Sequence, residues 1–154
     1  FCLSRGLGDV YKRQVDVVIM AAAVADFRPK APASDKLKKH EGVPELVLEP
    51  TEDILAALGR RKRHQVLVGF AAETGQVREH AAEKLAAKRL DLVVGNDVSA
   101  PDAGFEVDTN RAILLNSDGS VEELPLLPKT ELATTILNRV RDHLGPRTPQ
   151  ERHP

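Results

Sequence analysis

The sequence predicts an α/β protein with a doubly wound, mainly parallel, Rossmann-like sheet and a β-hairpin extension. Short apolar segments alternate with amphipathic segments of helical period, which is the pattern of βαβ units. Two of the apolar segments, QVLVGF (65–70) and LDLVVGN (90–96), lack polar alternation, as is typical of strands that are covered on both faces. A turn signal separates two further strand patterns nearer the carboxyl end.

Two more segments are expected to be strands, both earlier in the chain. VDVVIM (15–20) is apolar on both faces, so we expect it to lie inside the sheet and to be covered on both sides. ELVLEP (45–50) is shorter and alternates apolar and polar residues. Together with 65–70 and 90–96, these segments predict the parallel part of the sheet.

Three segments have helical periodicity. DILAALGRRKR (53–63) and GQVREHAAEKLAAKR (75–89) follow predicted strands, and Thr74 is placed as an N-cap of the second helix. The third, TELATTILNRVRDHL (130–144), ends at a Gly-Pro stop signal. Its predicted apolar face consists of Leu132, Ile136, Leu137, Val140 and Leu144.

A hairpin and a long connection complete the pattern. RAILLNSDGSVEELPL (111–126) predicts two strands around the Asp118-Gly119 turn. The connection FRPKAPASDKLKKHEGVP (27–44) is polar and rich in proline and lysine. A connection of this length within one domain is usually a functional lid or a disordered segment.

The domain organisation follows from these patterns. Residues 1–14 have no initiator methionine and no periodicity, so we expect a non-native leader there. Residues 15–144 form the predicted domain, and 145–154 form a predicted disordered tail. The single cysteine, Cys2, excludes an internal disulfide and indicates no zinc cluster.

Charge and hydropathy limit the partners. The formal net charge of −1 indicates no general attraction to nucleic acids or acidic membranes, so anion binding requires a local group of cations. No apolar run approaches the roughly 20 residues that span a bilayer. We therefore expect a cytoplasmic protein without nucleic acid or membrane partners, and the composition itself names no partner.

Two predicted strands end in small residues. In MAAAVADF (20–27), a backbone without bulky side chains allows a ligand to approach, and Asp26 could bind a sugar hydroxyl or a cation. Tight helix packing, with Asp26 as a cap, explains the same pattern. In GFAAET (69–74), Phe70 could pack on a ring or belong to the core. Both strand ends should lie on one edge of a parallel sheet.

Lysines form the second set of candidates. His80, Lys84 and Lys88 recur every fourth residue on a predicted helix, where like charges repel unless a polyanion offsets the repulsion. A solvated helix face is the alternative. In DKLKK, Lys36 lies on the mobile connection with Lys38 and Lys39, where it could reach a phosphate or remain a solvated charge.

Other motifs are weaker or absent. Asn96 and Asp97 lie at the carboxyl end of the strand predicted at 90–96 and could face a ligand or form a turn. The sequence has no Gly-x-Gly-x-x-Gly, Walker-type, Gly-x-Ser-x-Gly or His-Glu-x-x-His motif.

In order, AAAVADF, DKLKK, GFAAET, EKLAAKRLDLVVGNDVS and GFEVDTNRAILL resemble the phosphopantothenate–cysteine ligase family. The resemblance covers Val15 to Leu144. It implies an enzyme of coenzyme A biosynthesis that joins 4'-phosphopantothenate to L-cysteine, with CTP as co-substrate through an acyl-cytidylate, with Mg2+, and as a homodimer. In bacteria this ligase is usually the carboxyl-terminal half of a bifunctional protein. FMN belongs to the flavin-dependent decarboxylase half, which this chain lacks.

The resemblance also implies site residues, but no metal ligands. Lys36 is the implied catalytic lysine. The implied CTP-binding residues are Met20, Ala21, Ala22, Asp26, Lys36, Asp53, Ile54, Leu55, Ala56, Phe70, Lys84 and Lys88. The family's Gly-rich opening strand and its asparagine-bearing segment have no counterpart before Val15, so we expect a fragment that is incomplete by itself.

Two alternatives remain open at the level of sequence. A Rossmann-type NAD(P)-dependent reductase would suit the sheet pattern, although the glycine fingerprint is missing. A non-catalytic fragment could use the hairpin and the GFEVD segment (104–108) as a homodimer interface.

Overall fold

A computed structural model describes residues 15–31, 45–73, 75–97 and 107–145 of the chain. The strands are β1 (Val17–Met20), β2 (Phe27–Pro29), β3 (Leu48–Pro50), β4 (Val66–Glu73), β5 (Leu92–Asp97), β6 (Thr109–Asn110), β7 (Ala112–Asn116), β8 (Val121–Glu123) and β9 (Leu127–Pro128). The helices are α1 (Ile54–Arg61), α2 (Val77–Ala87) and α3 (Lys129–Leu144).

Among the residues that the structure describes, the main sheet has five strands in the order β1-β4-β5-β7-β8. β1, β4 and β5 are parallel, and the antiparallel hairpin β7–β8 extends the sheet beyond β5. The hairpin turns at Asp118-Gly119, as expected, with Gly119 at a φ of 86° that favours glycine. The predicted α/β class, with a parallel sheet and a hairpin extension, is confirmed.

Two apolar clusters cover the two faces of this sheet. On one face, α3 packs Leu132, Ile136 and Val140 against alternate residues of β4, β5 and β7. On the other face, α1 and α2 contribute Leu55 and Ala81. Because side chains alternate along a strand, each central strand serves both clusters, which explains the continuous apolar runs of β4 and β5.

Gly59 sets the contact between α1 and the end of α2. A Cβ added at Gly59 would lie 1.9 Å from the backbone oxygen of Lys88, so only glycine fits the distance at which the two helices meet. This contact brings the carboxyl end of α2 against α1. It therefore helps to position Lys88 beside the residues that begin α1.

The strand predictions were wrong at two positions. The segment at 15–20 joins the parallel sheet, as predicted, but among the described residues it is the edge strand rather than a central one, and Ile19 is 39% exposed. The segment at 45–50 does not join the parallel sheet. Its last residues form β3, which pairs antiparallel with β2 in a separate ribbon. An apolar pattern predicts that a segment forms a strand, but it does not predict which strand it pairs with.

The helix predictions differ from the structure at their ends. α2 begins at Val77 after Gln76, which has a left-handed φ of 48° and no capping side chain. The predicted cap at Thr74 lies outside the described residues. On α3, Leu137 and Leu144 are 57% and 36% exposed, against the prediction, whereas Leu132, Ile136 and Val140 are buried as expected. Within the described ranges, none of the helices has the length and apolar character to cross a bilayer.

Candidate functional site

A cavity of about 550 Å³ opens at the carboxyl ends of β1, β4 and β5. Parallel α/β sheets hold their ligands at this edge. The cavity is lined by Met20, Ala21, Ala22, Ala23, Val24, Asp26, Thr51, Glu52, Asp53, Ile54, Leu55, Phe70, Ala72, Lys84, Lys88, Asn96, Asn110 and Lys129.

Small and aromatic side chains form one wall of the cavity. The alanines that follow β1 are exposed, and so is Ala72 in β4. Phe70 is half-buried, because it packs against the cluster under α3 and also borders the cavity. Its contact with the core agrees with the structural interpretation of Phe70, and packing on a ligand ring stays a prediction.

Lys84 contributes a cation from α2. Its Nζ donates a hydrogen bond of 2.5 Å to the backbone oxygen of Phe70. Burial and the like charge of Lys88 hold the pKa of Lys84 below its ordinary value, against the opposing charges of Glu73, Asp53 and Asp26. The ammonium group is thus partly desolvated and fixed at the strand end.

Lys88 lies one turn further along and pairs with Asp53 at 2.8 Å between Nζ and Oδ2. The other carboxylate oxygen of Asp53 accepts a hydrogen bond of 2.9 Å from the backbone N–H of Ala56 and so caps α1. Burial opposes ionisation of Asp53. The hydrogen bonds from Lys88 and Ala56, with the charges of both lysines, outweigh it and lower the pKa of Asp53.

Asn96 borders the cavity from the end of β5. Its side-chain Oδ1 is buried and has no hydrogen-bond partner among the described residues. The sequence left this residue open between a ligand contact and a turn, and the structure places it in a strand. Asp97 ends the same strand.

The structure brings most of the predicted site residues together. Ten of them line the cavity: Met20, Ala21, Ala22, Asp26, Asp53, Ile54, Leu55, Phe70, Lys84 and Lys88. Ala56 is not among the lining residues, but its N–H binds Asp53. Lys36, Lys38 and Lys39 lie outside the described residues. His80 pairs with Glu73 at 2.8 Å rather than lining the cavity with the lysines.

Other lining residues could not be identified from the sequence. Asn110 and Lys129 reach the cavity from the short pair β6–β9 and from the start of α3. Nothing in the local pattern marks them, because their position depends on a pairing between segments that are distant in sequence. Among the residues that the structure describes, no three His, Cys, Asp or Glu side chains come together as a metal site.

The fold and the position of this cavity define the chain as a Rossmann-like α/β domain with a candidate ligand site at its carboxyl edge. The chain belongs to the family described as the DNA/pantothenate metabolism flavoprotein C-terminal domain, which matches residues 9–144. The match thus includes the last part of the predicted leader, 1–14, which lies outside the described residues.

Curated relatives support this membership. Over 125 residues, the chain is 49% identical to the coenzyme A biosynthesis bifunctional protein CoaBC of Bacillus subtilis (strain 168), covering 81% of this chain and 31% of that protein. It is 40% identical over 129 residues to a cysteine/cysteine sulfinic acid decarboxylase from an unknown prokaryotic organism, covering 83% and 36%. The chain spans about a third of the length of these relatives.

Solved structures agree with the fold. A crystal structure of the C-terminal domain of a CoaBC protein superimposes with a TM-score of 0.71 at 39% identity, covering 90% of this chain and 60% of that one. A DNA/pantothenate metabolism flavoprotein from Streptococcus pneumoniae superimposes with a TM-score of 0.66 at 21% identity, covering 86% and 65%. The second likeness shows the fold alone.

These matches correct the assignment to phosphopantothenate–cysteine ligase. The family is described as a domain of a flavoprotein, and the decarboxylase relative is the one of these matches whose description names a reaction. The descriptions of the family and of these relatives name no ligase, CTP or magnesium, so that activity and those cofactors are set aside. The expectation that FMN belongs only to a separate decarboxylase half is set aside as well.

The physical reason for the correction is that the predicted site residues recognise a phosphate group but do not identify the rest of the ligand. Two lysines beside a cavity attract phosphate groups in general, because the attraction depends on charge rather than on the remainder of the ligand. The convergence of Lys84, Lys88 and Phe70 therefore supports a site for a phosphorylated molecule. It does not select a nucleoside triphosphate.

Proposed function

We propose that this domain binds a phosphorylated small molecule with a planar ring and serves an enzyme of coenzyme A biosynthesis. The observation that supports the proposal is the placement of Lys84 and Lys88 on the same cavity as the alanine-rich strand end and Phe70. Coenzyme A biosynthesis is the process named for several relatives, and decarboxylation is the reaction named for one of them.

The phosphate would lie on the α2 side of the cavity. Lys84 and Lys88 already hold acceptors there, the Phe70 carbonyl and the Asp53 carboxylate. A phosphate could accept hydrogen bonds from both ammonium groups, and charge-assisted bonds of this kind are stronger than neutral ones. Its negative charge would also oppose the burial and the repulsion from Lys88 that lower the pKa of Lys84.

The ring would lie along the wall formed by the alanines and Phe70. Ala21, Ala22 and Ala72 present methyl groups and backbone, so a flat molecule can approach closely. FMN is the first ligand to test, because the family is named for a flavoprotein. The cavity volume falls within the range of about 300–1,000 Å³ typical of small-molecule sites, and the lysines suit its phosphate. Bound flavin supplies a ring that accepts and donates electrons.

Calorimetric titration of the native chain tests the proposal. The ligands are FMN, riboflavin, the four ribonucleoside triphosphates and inorganic pyrophosphate. We expect a ring-bearing phosphate to bind more tightly than riboflavin, which lacks phosphate, and than pyrophosphate, which lacks a ring. The proposal is contradicted if none of the ring-bearing phosphates binds. It is also contradicted if FMN and riboflavin bind with equal affinity and none of the nucleotides binds.

Further features remain proposals. We propose that the ligand-binding domain spans residues 15–144, in agreement with the end of the family match at residue 144. We also propose a homodimer in the cytoplasm. Exposed apolar side chains on the β2–β3 ribbon, such as Phe27 at 59% and Leu48 at 51%, support a contact with another chain. Sedimentation of the native chain at several concentrations tests the dimer.

A further inference from the structure

We propose that Asn96 is a recognition residue, whose side-chain carboxamide forms a hydrogen bond with the ring of the bound molecule. The inference rests on the proposed function and deepens it, because it concerns the ring rather than the phosphate. Asn96 lines the cavity, and its buried Oδ1 has no partner among the described residues. Buried polar atoms without partners are rare in folded proteins, so each requires an explanation.

The neighbours of Asn96 explain why its oxygen has no partner. In the register of the sheet, Asn96 lies opposite Ala72 on β4 and opposite Ala112 on β7. Residues that are paired across strands place their side chains on the same face. Both neighbours present a methyl group, so neither can donate a hydrogen bond to the amide. A group donated by a molecule in the cavity would provide what the sheet does not.

The position of Asn96 assigns it to the ring side. Leu92 and Val94 precede it at alternate positions of β5 and pack in the cluster under α3. Asn96 therefore lies on the α3 face of the sheet, whereas Lys84 and Lys88 come from α2, which covers the other face. A ligand that reaches both must cross the strand ends, with its phosphate towards α2 and its other end towards β5.

The chemistry of a carboxamide defines the group that it recognises. An asparagine side chain presents an acceptor and a donor side by side, and a turn of the amide exchanges their positions. A heterocyclic ring with an adjacent donor and acceptor on its edge is complementary to this pair. The inference therefore predicts a nitrogen heterocycle with an imide-like or aminopyrimidine-like edge, rather than an apolar ring.

Asn116 provides a matched control on the same sheet. Its Nδ2 donates to the Ser120 hydroxyl at 3.0 Å, and its Oδ1 lies 3.0 Å from Nε2 of His143. Its amide is thus satisfied within the protein. Asn96→Leu and Asn116→Leu remove the same polar group and keep a similar side-chain volume, so their effects can be compared directly.

The experiment measures ligand-free Tm and ligand affinity for the native chain and both variants. The ligands are FMN, the four ribonucleoside triphosphates and inorganic pyrophosphate. We expect Asn96→Leu to keep or raise Tm, because it removes an unpaired polar atom, and to weaken binding of the ring-bearing ligand about 10-fold. Its affinity for pyrophosphate should be unchanged. Asn116→Leu should lower Tm and leave both affinities unchanged.

The outcomes separate this inference from the proposed function. If no ring-bearing phosphate binds the native chain, the proposed function fails and the inference fails with it. If one binds the native chain and Asn96→Leu with equal affinity, the inference alone is overturned. It is also overturned if Asn96→Leu lowers Tm as much as Asn116→Leu does, since Asn96 would then have a structural role.

Discussion

The polar side chains at the two ends of β5 differ in whether the protein supplies their hydrogen-bond partners. Before the strand, Asp91 accepts from Lys62 Nζ at 2.5 Å and from the backbone N–H of Leu67 at 2.8 Å, so both of its carboxylate oxygens are satisfied by the protein. At the other end, Asn96 keeps a buried oxygen without a partner within the described ranges. The amino end of the sheet is therefore built for stability, and the carboxyl end is left able to accept a ligand.

The cations show the same contrast. Lys62 and Asp91 are each 20% exposed and form an ion pair away from the cavity. Lys84 and Lys88 also have partners, but both line the cavity and can turn towards an incoming phosphate. A site of this kind is ordered before the ligand arrives, so less freedom is lost on binding. Lysines that are alike in sequence thus differ in their surroundings because of their position around the sheet.

The largest effect is expected at Gly59, where the contact between α1 and α2 positions Lys88 at the carboxyl end. Gly59→Ala places a Cβ 1.9 Å from the backbone oxygen of Lys88, so α1 and α2 must separate. We expect a loss of about 3 kcal/mol in the free energy of unfolding, measured in urea, and weaker phosphate binding because Lys88 moves. Gly69→Ala is the control, since the atoms nearest to its Cβ would be side-chain carbons of Leu90 and Leu55 rather than backbone. An equal loss in both variants would contradict this explanation.

The next effect separates binding from stability at the carboxyl end. Lys84→Met removes one charge-assisted contact to the ligand phosphate, so we expect a 10- to 100-fold weaker affinity, equivalent to about 1.5–3 kcal/mol. The free energy of unfolding should change little, because the removed ammonium is itself partly desolvated. Titration with pyrophosphate measures the affinity. Unchanged affinity in Lys84→Met would place the phosphate elsewhere.

At the amino end of β5, we expect a substitution to lower stability and to leave phosphate affinity unchanged. Lys62→Met leaves the half-buried Asp91 carboxylate without its cation, which should lower the free energy of unfolding by about 1–3 kcal/mol. Pyrophosphate affinity should remain at the native value, because Lys62 lies away from the cavity. Chemical unfolding and titration of the same preparation give both values. Loss of affinity at Lys62→Met would remove the distinction between the two ends.

The pH dependence of phosphate binding gives a further test of the role of Lys84 at the carboxyl end. The pKa of Lys84 lies below its ordinary value of 10.5, so its ammonium is lost at a lower pH than that of an exposed lysine. Phosphate binding requires the charged form, so affinity should fall as the pH rises through this lowered pKa. Lys84→Arg stays charged throughout and should remove that part of the pH dependence. Identical pH profiles for the two proteins would exclude Lys84 as the titrating group.

The smallest expected effect lies on the hairpin, away from the cavity. The Arg139 guanidinium forms two hydrogen bonds of 2.7 Å with Glu122 and lowers the pKa of that carboxyl group. Both side chains are 36% exposed, so solvent screens the pair, and Glu122→Gln should destabilise by about 0.5 kcal/mol. The native contribution is present above pH 4.5 and is lost as the pH falls through the lowered pKa. Urea unfolding at neutral and acid pH tests whether the difference disappears.

Local patterns in the sequence predicted much of the fold. The continuous apolar runs of β4 and β5, the turn at Asp118-Gly119 and the buried stripe of α3 depend on neighbouring residues, and they appear in the structure. Strand partners are set by distant residues instead. The edge position of β1 and the separate β2–β3 ribbon could therefore not be deduced from their own segments.

The candidate site divides in the same way. Small residues after β1 and β4, and lysines at helical spacing, indicated a shared cavity because the parallel fold brings strand ends together. Asn110 and Lys129 had no such signal, since their pairing elements are short and distant in sequence. The nature of the ligand could not be deduced from the lysines either, because ammonium groups respond to phosphate charge and not to what the phosphate is attached to.

The central claim is that the carboxyl end of β5, and not its amino end, faces a phosphate-binding cavity. Backbone amide NMR of the native chain during titration with inorganic pyrophosphate tests this most directly. We expect saturable shifts at Phe70, Lys84 and Lys88, which lie where the phosphate is proposed to bind, and none at Leu67 or Asp91. Shifts confined to the amino end, or no saturable shift at the three cavity residues, would contradict the claim.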